Sequence, residues 1–520
     1  MVRLWIDNRP VEVPAGSTVL QATRALGLDL PALCFHEGYP PNTSCMCCLA
    51  RVDDAPQLVP ACATVVREGM RVESETDPIH QLRRAGLELL LADHAGDCHA
   101  PCENTCPAHM DVPDMLRHVA EGDYQAAIAT IKQDIALPAI LGRVCPEVCE
   151  NACRRGQHDS PAAICKVKQF VADRDLASGA PYRPRVAPTS GRRIAVVGGG
   201  PTGLTAAFHL AWRGHACQLF DREQVLGGRL HAEFSPEELP REVLQAEIDA
   251  VLAMGIETRL GVLVGQDYAL DDLVREFDAV LLAVGRYTTA ELNALGVQPA
   301  ASGVRVDAAS RLTSHAAVFA AGNAVRPYRL VVQSVAEGKL AAESIDCWLR
   351  GEHPPDRRRA FESRLARLTS GELCSFCTGS STTPRVDARI LAAGLTEELA
   401  RQEAERCLHC ECEALPNCRL HHYAAAYQCD ARRFRDHPRP FEEPIVGEKV
   451  RLESGKCIAC GICVQIAAAA PAAVGLAIVG RSLQLRVVPP PGVTLDDAFG
   501  EVAQQCAEAC PTGAIVLQPH

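Results

Sequence analysis

The sequence predicts a multidomain chain: a strand-rich N-terminal module, a helical module, a parallel α/β nucleotide-binding module and a cysteine-rich C-terminal region. Three observations predict it. There are 26 cysteines among 520 residues, and 24 of them fall outside residues 190–350 in tight groups. Within 190–350, an apolar strand runs through Gly198-x-Gly200-x-x-Gly203 into an apolar helix. A Pro/Arg-rich stretch at 352–359 then reads as a linker.

Disulfide-stapled secreted domains are short, and the first residues of this chain form no apolar signal segment, so a reducing, cytoplasmic setting is expected. There, clustered cysteines mean thiolate ligands for metal. A net charge of −12 argues against nucleic acid as a partner, and 48% hydrophobic residues suffice for several cores. The uncharged run 461–480 is rich in Ala and Gly and carries Pro471, so it reads as buried protein rather than a membrane span.

Residues 1–78 open with strand alternation at 2–6 and 11–13, joined by the turn formers Asp7-Asn8. A helix follows, with Ser17-Thr18 as caps and Val19, Ala22 and Leu26 on one face. Next comes Cys34-x10-Cys45-x2-Cys48-x13-Cys62, four thiols able to hold two irons, each tetrahedral in sulfur. The segment resembles the N-terminal β-grasp [2Fe–2S] ferredoxin domain of the iron–sulfur subunits of NADH dehydrogenases, NAD-linked formate dehydrogenases and iron-only hydrogenases. Cys47 is an extra thiol; the x2 spacing and the strand-like 49–52 favour Cys48 as the ligand. A four-cysteine zinc site is the alternative, but zinc sites use two short hooks rather than an x10 loop.

Residues 79–178 repeat a motif: Cys98-x3-Cys102-x3-Cys106-Pro107, then Cys145-x3-Cys149-x3-Cys153. On a helix, each triplet would present its sulfurs along one face. Residues 112–122 and 124–132 read as short helices between them. The phrase from Gly142 to Cys153 resembles the helical double-cluster domain of the glutamate synthase small subunit and dihydropyrimidine dehydrogenase. That resemblance implies two [4Fe–4S] clusters, one on Cys98, Cys102 and Cys153 and one on Cys106, Cys145 and Cys149, each short of a fourth ligand. The family's non-cysteine ligand position matches Lys168, but a protonated lysine has no lone pair to give, so Cys165, one turn earlier, is the candidate. For the other cluster the candidate is His94, whose His-x3-Cys98 spacing resembles the cluster that follows the [2Fe–2S] domain in the NADH dehydrogenase family.

Residues 190–350 hold the dinucleotide fingerprint in its proper setting. Gly198, Gly200 and Gly203 form the tight turn, Pro201 opens the helix, and Asp221 closes the next strand to meet a ribose. Gly227-Gly228-Arg229, the strand ending at Gly285, and Gly322-Asn323 followed by the helix bearing Ser334 resemble the flavoprotein half of the same glutamate synthase family. The resemblance implies a Rossmann-like FAD domain, with Asn323 where the family carries Asp. Family members insert a second, NADPH-binding Rossmann domain of about 100 residues between the two flavin half-segments. Here 32 residues separate Gly285 from Val318, and no second fingerprint occurs. Cys217 and Cys347 read as small buried side chains.

In the cysteine-rich region 360–445, Cys407, Cys410, Cys412 and Cys418 read as one [4Fe–4S] site; a zinc hook from Cys374, Cys377, Cys407 and Cys410 is the alternative. In 446–520, Cys457-x2-Cys460-x2-Cys463 with Cys510-Pro forms a ferredoxin-like [4Fe–4S] pattern, and Cys506 is left over.

The expectation is an electron-transfer subunit of a hetero-oligomeric oxidoreductase, with FAD, one [2Fe–2S] and three to four [4Fe–4S] clusters and no NAD(P) site of its own. By resemblance its partner is an NADH dehydrogenase-like diaphorase subunit, or a formate dehydrogenase or hydrogenase catalytic subunit. Two other readings stand: a self-sufficient flavin oxidoreductase acting on a small substrate, and a non-enzymatic assembly scaffold holding structural zinc.

Overall fold

The structure, a computed structural model, describes residues 1–354, 361–434, 439, 441–481 and 484–518. Residues 355–359 of the expected linker lie outside the described residues. The chain divides into two compact units that interleave along the sequence. The first comprises Met1–His99, Arg357–Thr378 and Glu411–His520; the second comprises Ala100–Asp356 and Gly379–Cys410.

In the first unit, the N-terminal part is a five-stranded mixed sheet in the order Arg9–Val13, Val2–Ile6, Arg71–Glu73, Leu49–Val52, Leu58–Pro60. Val2–Ile6 pairs antiparallel with Arg9–Val13 through a two-residue turn at Asp7 and Asn8, both at positive φ, as the right-handed strand twist requires. Alternation along these strands sends Leu4, Ile6, Val11 and Val13 inward, where they meet Val19 and Leu20 of the helix Val19–Ala25. That helix starts with a capping box, in which the Thr18 and Gln21 side chains bond each other's backbone N–H groups.

The same unit contains the C-terminal part of the chain. A three-stranded antiparallel sheet (Ile445–Val446, Val450–Leu452, Ile515–Leu517) carries the helices Ile462–Ala469 and Ala503–Ala509. The apolar run at 461–480 thus supplies an eight-residue helix, and among the described residues no helix is long and apolar enough to cross a membrane. The sequence reading kept the two chain ends as separate modules; the structure packs them together. Arg83, fully buried on the helix Asp77–Ala92, donates to Leu49 O at 2.7 and 3.0 Å, to Glu75 at 3.2 Å and to Tyr427 Oη at 3.2 Å. Tyr423 Oη donates to Asp29 at 2.7 Å, and Asn42 Nδ2 donates to Cys460 O at 2.6 Å.

The second unit joins a helical layer to a parallel sheet. Its helices include Val112–Glu121, Tyr124–Asp134, Pro138–Val144 and Ile164–Ala177. The sheet has five parallel strands in the order Val318–Ala320, Ala279–Leu282, Arg193–Val197, Ala216–Asp221, Glu257–Leu260. Between Gly285 and Val318 the structure has only the helix Thr289–Ala294 and a pair of two-residue strands. Buried Glu247 couples the two layers: its carboxylate accepts the backbone N–H groups of Ala139 and Ile140 at 2.6 and 2.7 Å.

Arg83→Met should lower the stability of the first unit by about 2–3 kcal/mol, because Leu49 O would remain buried without a donor. Urea titration followed by circular dichroism would show a lower midpoint; an unchanged midpoint would mean that Arg83 does not lock the chain ends together.

Candidate cofactor sites

The glycine turn of the second unit is built to admit a phosphate. Gly198 has a φ of +110°, and a Cβ on Gly203 would lie 1.8 Å from Gly198 O, so neither position accepts a side chain. The helix Pro201–Trp212 starts there with its N–H groups directed at the turn. Asp221 accepts Gly199 N–H at 2.6 Å and Glu223 N–H at 2.8 Å, which fixes the acid at the strand end. Gly227 N–H donates to Gly199 O at 2.8 Å and Gly228 packs on Gly200, so the Gly227-Gly228-Arg229 loop folds over the turn. Opposite, a Cβ on Gly322 would meet Thr202 Oγ1 at 2.3 Å, and Thr202 Oγ1 donates to Ser334 O at 3.0 Å. These close approaches leave a cavity of about 610 Å³, lined by Gly198, Gly200, Pro201, Asp221, Gly228, Arg229, Gly285, Asn323 and Ser334 among others. Gly203, Gly227 and Gly322 shape its wall without lining it.

Asn323 spends its carbonyl oxygen on Tyr328 N–H at 2.7 Å. Tyr328 in turn donates its hydroxyl to Glu337 at 2.7 Å and accepts from Arg326 Nε at 2.6 Å. Sequence reading missed Tyr328, Arg222 and Arg286, which also line the cavity and belong to no glycine motif.

In the first unit, Cys34, Cys45, Cys48 and Cys62 converge. Cys34 touches Cys45 and Cys62, Cys62 touches Cys48, and Cys45 N–H points at Cys34 Sγ at 3.5 Å. Contact with Cys45 and Cys62 holds the Cys34 thiol far below its ordinary range, whereas contact with Cys34 and burial push the Cys45 thiol far above it. Cys47 adjoins Cys45, whose thiol it also pushes up: its Sγ donates to Cys45 O at 3.1 Å and faces Gly86. Cys457, Cys460, Cys463 and Cys510 together line one small apolar cavity, and Cys506 is fully buried beside them against Cys463 O.

The remaining cysteines are regrouped relative to the sequence reading. Cys98 does not share a helical face with Cys102 and Cys106, because Pro101 starts a new helix, Pro101–Thr105, beyond it. Ser363 ties Cys98 into the first unit instead. Cys98 N–H donates to Ser363 O at 3.0 Å, and Ser363 N–H donates to Cys98 Sγ at 3.4 Å. Cys412 N–H donates to Cys98 O at 3.1 Å, and Cys418 lies near both sulfurs. Burial pushes the Cys98 thiol up to about 12 and the Cys418 thiol up to about 11. His94 is 7% exposed, with Nε2 turned towards Gly96 and the Lys456 stem.

In the second unit, Cys102 is surrounded by Cys407, Cys410 and Cys153, and burial first, then these sulfurs, pushes its thiol well up. A buried polar lock places them. Arg155 pairs with Asp159 at 2.9 and 2.8 Å and donates to Arg406 O at 3.2 Å; Arg406 donates to Ser160 O at 2.6 Å. Glu403 accepts the N–H groups of Ala163, at 3.0 Å, and Val386. Cys407 therefore lies immediately after a segment pinned to residues 155–163. The charged phrase Glu403-Ala-Glu-Arg406 was the only sequence signal for this placement. Cys165 touches Cys145 and Cys149, with Cys106 and Lys168 beside them. Of the Cys407–Cys418 group expected to form one site, Cys407 and Cys410 belong to the second unit and Cys412 and Cys418 to the first, as do Cys374 and Cys377.

Comparison with known proteins fits this pattern. Residues 1–77 match the family described as 2Fe-2S iron-sulfur cluster binding domain, residues 90–180 the family described as dihydropyrimidine dehydrogenase domain II, 4Fe-4S cluster, and residues 159–338 the family described as pyridine nucleotide-disulphide oxidoreductase. Three cofactor-domain families meet in this one chain. The chain is 38% identical to the NADP(+)-dependent formate dehydrogenase subunit beta of Moorella thermoacetica, over 38% of its own length and 31% of the relative's. It is 33% identical to the NADPH-Fe(3+) oxidoreductase subunit beta of Geobacter sulfurreducens, over 38% and 30% of the two lengths. It is 34% identical to the glutamate synthase [NADPH] small chain of Escherichia coli, over 39% and 43%. In each case the match spans less than half of the relative.

Gly203→Ala should yield protein with at least about tenfold less bound flavin, since its Cβ has no room against Gly198 O. The ratio of flavin absorbance to protein after purification reads this directly, and wild-type flavin content in the variant would contradict the assignment of the cavity.

Proposed function

We propose that this chain is an FAD- and iron–sulfur-containing electron-transfer subunit of a multi-subunit cytoplasmic oxidoreductase. The observation that carries this reading is the gathering of buried cysteines into five groups, alongside a cavity shaped by a dinucleotide-type glycine turn. When bound, the flavin would exchange two electrons for single ones and the clusters would carry single electrons.

The β-grasp module would hold a [2Fe–2S] cluster through Cys34, Cys45, Cys48 and Cys62. Four [4Fe–4S] clusters would be held by Cys457, Cys460, Cys463 and Cys510; by Cys98, Cys412 and Cys418 with His94; by Cys102, Cys153, Cys407 and Cys410; and by Cys106, Cys145, Cys149 and Cys165. The donor sets fit: four soft sulfurs in four of them and three beside a histidine in the other, buried or half-buried, several receiving backbone N–H groups that stabilise a thiolate. The proximity of Cys102 and Cys153 to Cys407 and Cys410 argues against a zinc hook shared by Cys374, Cys377, Cys407 and Cys410.

The three adjoining sets of the first unit form a sequence of neighbours. Cys34 and Cys460 lie close, and Cys418 Sγ donates to Pro511 O at 3.8 Å, next to Cys510. Residues 1–77 are therefore not a detachable head: removing them would strip Asn42 from Cys460 and Leu49 from Arg83. The short connection between Gly285 and Val318 offers no second nucleotide fold, so a partner would have to supply or remove the electrons. The ferredoxin-like N-terminus supports an NADH dehydrogenase-like diaphorase subunit, or a formate dehydrogenase or hydrogenase catalytic subunit, in that role.

Three measurements test this. Stopped-flow mixing of the isolated oxidised chain with NADH or NADPH should leave the flavin band unbleached; rapid bleaching would show a nucleotide site in this chain. Anaerobic analysis should give about 18 irons per chain, the sum of one two-iron and four four-iron sites; fewer than about ten would defeat the multi-cluster reading. Cys98→Ser and Cys412→Ser should perturb the same EPR signal, and Cys102→Ser and Cys407→Ser a different one. If Cys98 and Cys102 perturb one signal together, the regrouping is wrong.

A further inference from the structure

Three lysines are buried among the described residues, Lys132, Lys168 and Lys456. Lys132 Nζ meets Asp175 at 2.7 Å, and Lys456 Nζ meets Glu453 at 2.6 Å. Lys168 differs. Its side chain is enclosed on the helix Ile164–Ala177, and its hydrogen-bonding partner is a sulfur, Cys165 Sγ at 3.9 Å. Cys145, Cys149 and Cys106 also stand near it. The nearby carboxylate of Glu150 is already committed to Cys165 N–H at 3.0 Å and to Arg385 at 2.7 Å.

An ammonium ion removed from water costs several kcal/mol unless an anion compensates it. Neutral thiols cannot supply that anion. Thiolates ligating iron do, because a four-thiolate set remains anionic once the metal is bound. Cys165 and Lys168 are three residues apart on one helix, so the ligand and the cation face the same place one turn apart. A lysine cannot ligate while protonated, and Cys165 leaves it no need to.

We propose that Lys168 is the resident countercharge of the Cys106, Cys145, Cys149 and Cys165 set, raising the reduction potential of the cluster held there. This rests on the ligand set proposed above. A fixed positive charge in a low-dielectric interior favours the reduced, more negative state of its neighbour.

The test is an anaerobic redox titration of the whole reconstituted chain, followed by EPR, on Lys168→Gln and Lys168→Arg. In Lys168→Gln, iron content should hold while the reduced-to-oxidised ratio of one cubane signal at fixed potential falls by about tenfold, equivalent to about 59 mV for a one-electron couple. Lys168→Arg keeps the charge and should keep the wild-type potential. An unmoved potential in Lys168→Gln with iron retained would overturn the proposal, as would equal shifts in both variants. Cys165→Ser checks the underlying ligand set separately: it should alter the same signal, and an unaltered signal there would sink the ligand set whatever the lysine variants show. Loss of that cluster's four irons in Lys168→Gln but not in Cys165→Ser would make Lys168 a ligand and overturn its role as countercharge.

Discussion

A thiol is cheap to bury and a thiolate is not, unless something positive shares its charge. Most of the cysteines in this chain are buried, and most of those stand next to other cysteines. That arrangement would be self-repelling if the sulfurs ionised alone. Bound metal resolves it, and the protein supplies the rest of the compensation through backbone N–H groups aimed at sulfur and an enclosed ammonium ion. The interleaving of the units, the buried arginine lock and the helix breaks at Pro101 and Pro138 all serve to bring sulfurs from distant segments to common points.

What could be read from the sequence divides along contact range. The Cys34–Cys62 loop and the Cys457–Cys463 motif are local, and the chain folds each onto itself. The glycine turn is likewise local, and its strand, helix and acid were visible together. Cys98 and Cys412 were not legible as neighbours, because some 300 residues separate them and each has a nearer cysteine in sequence that invites a false pairing. Spacing suggested a helical face for Cys98, Cys102 and Cys106; Pro101 breaks it, and Ser363 captures Cys98 from elsewhere. Cys407 and Cys410 were placed by Arg155, Asp159, Glu403 and Arg406, whose partners are one another and backbone groups that no sequence pattern announces.

The flavin-type cavity shows a related economy. Its wall depends on glycines that let the chain close up, backbone on backbone at Gly198 and Gly203 and backbone on the Thr202 side chain at Gly322. Charged and aromatic residues, Arg222, Arg286 and Tyr328, complete its lining. Asn323 lines it too, its carbonyl oxygen held by Tyr328 and its amide free of the negative charge an aspartate would bring.

The interleaving also sets a clock. Cys98 leaves the ribosome about 300 residues before Cys412, which at ordinary rates of synthesis is on the order of 15–60 s. Cys102 waits similarly for Cys407 and Cys410. For that interval both sets are incomplete, their thiols exposed to oxidation and to mispairing with the nearer cysteines on either side. On the proposed ligand sets, loading of these two sites must wait until residues 407–418 have been made, whereas the set within residues 34–62 is complete soon after its first cysteine emerges.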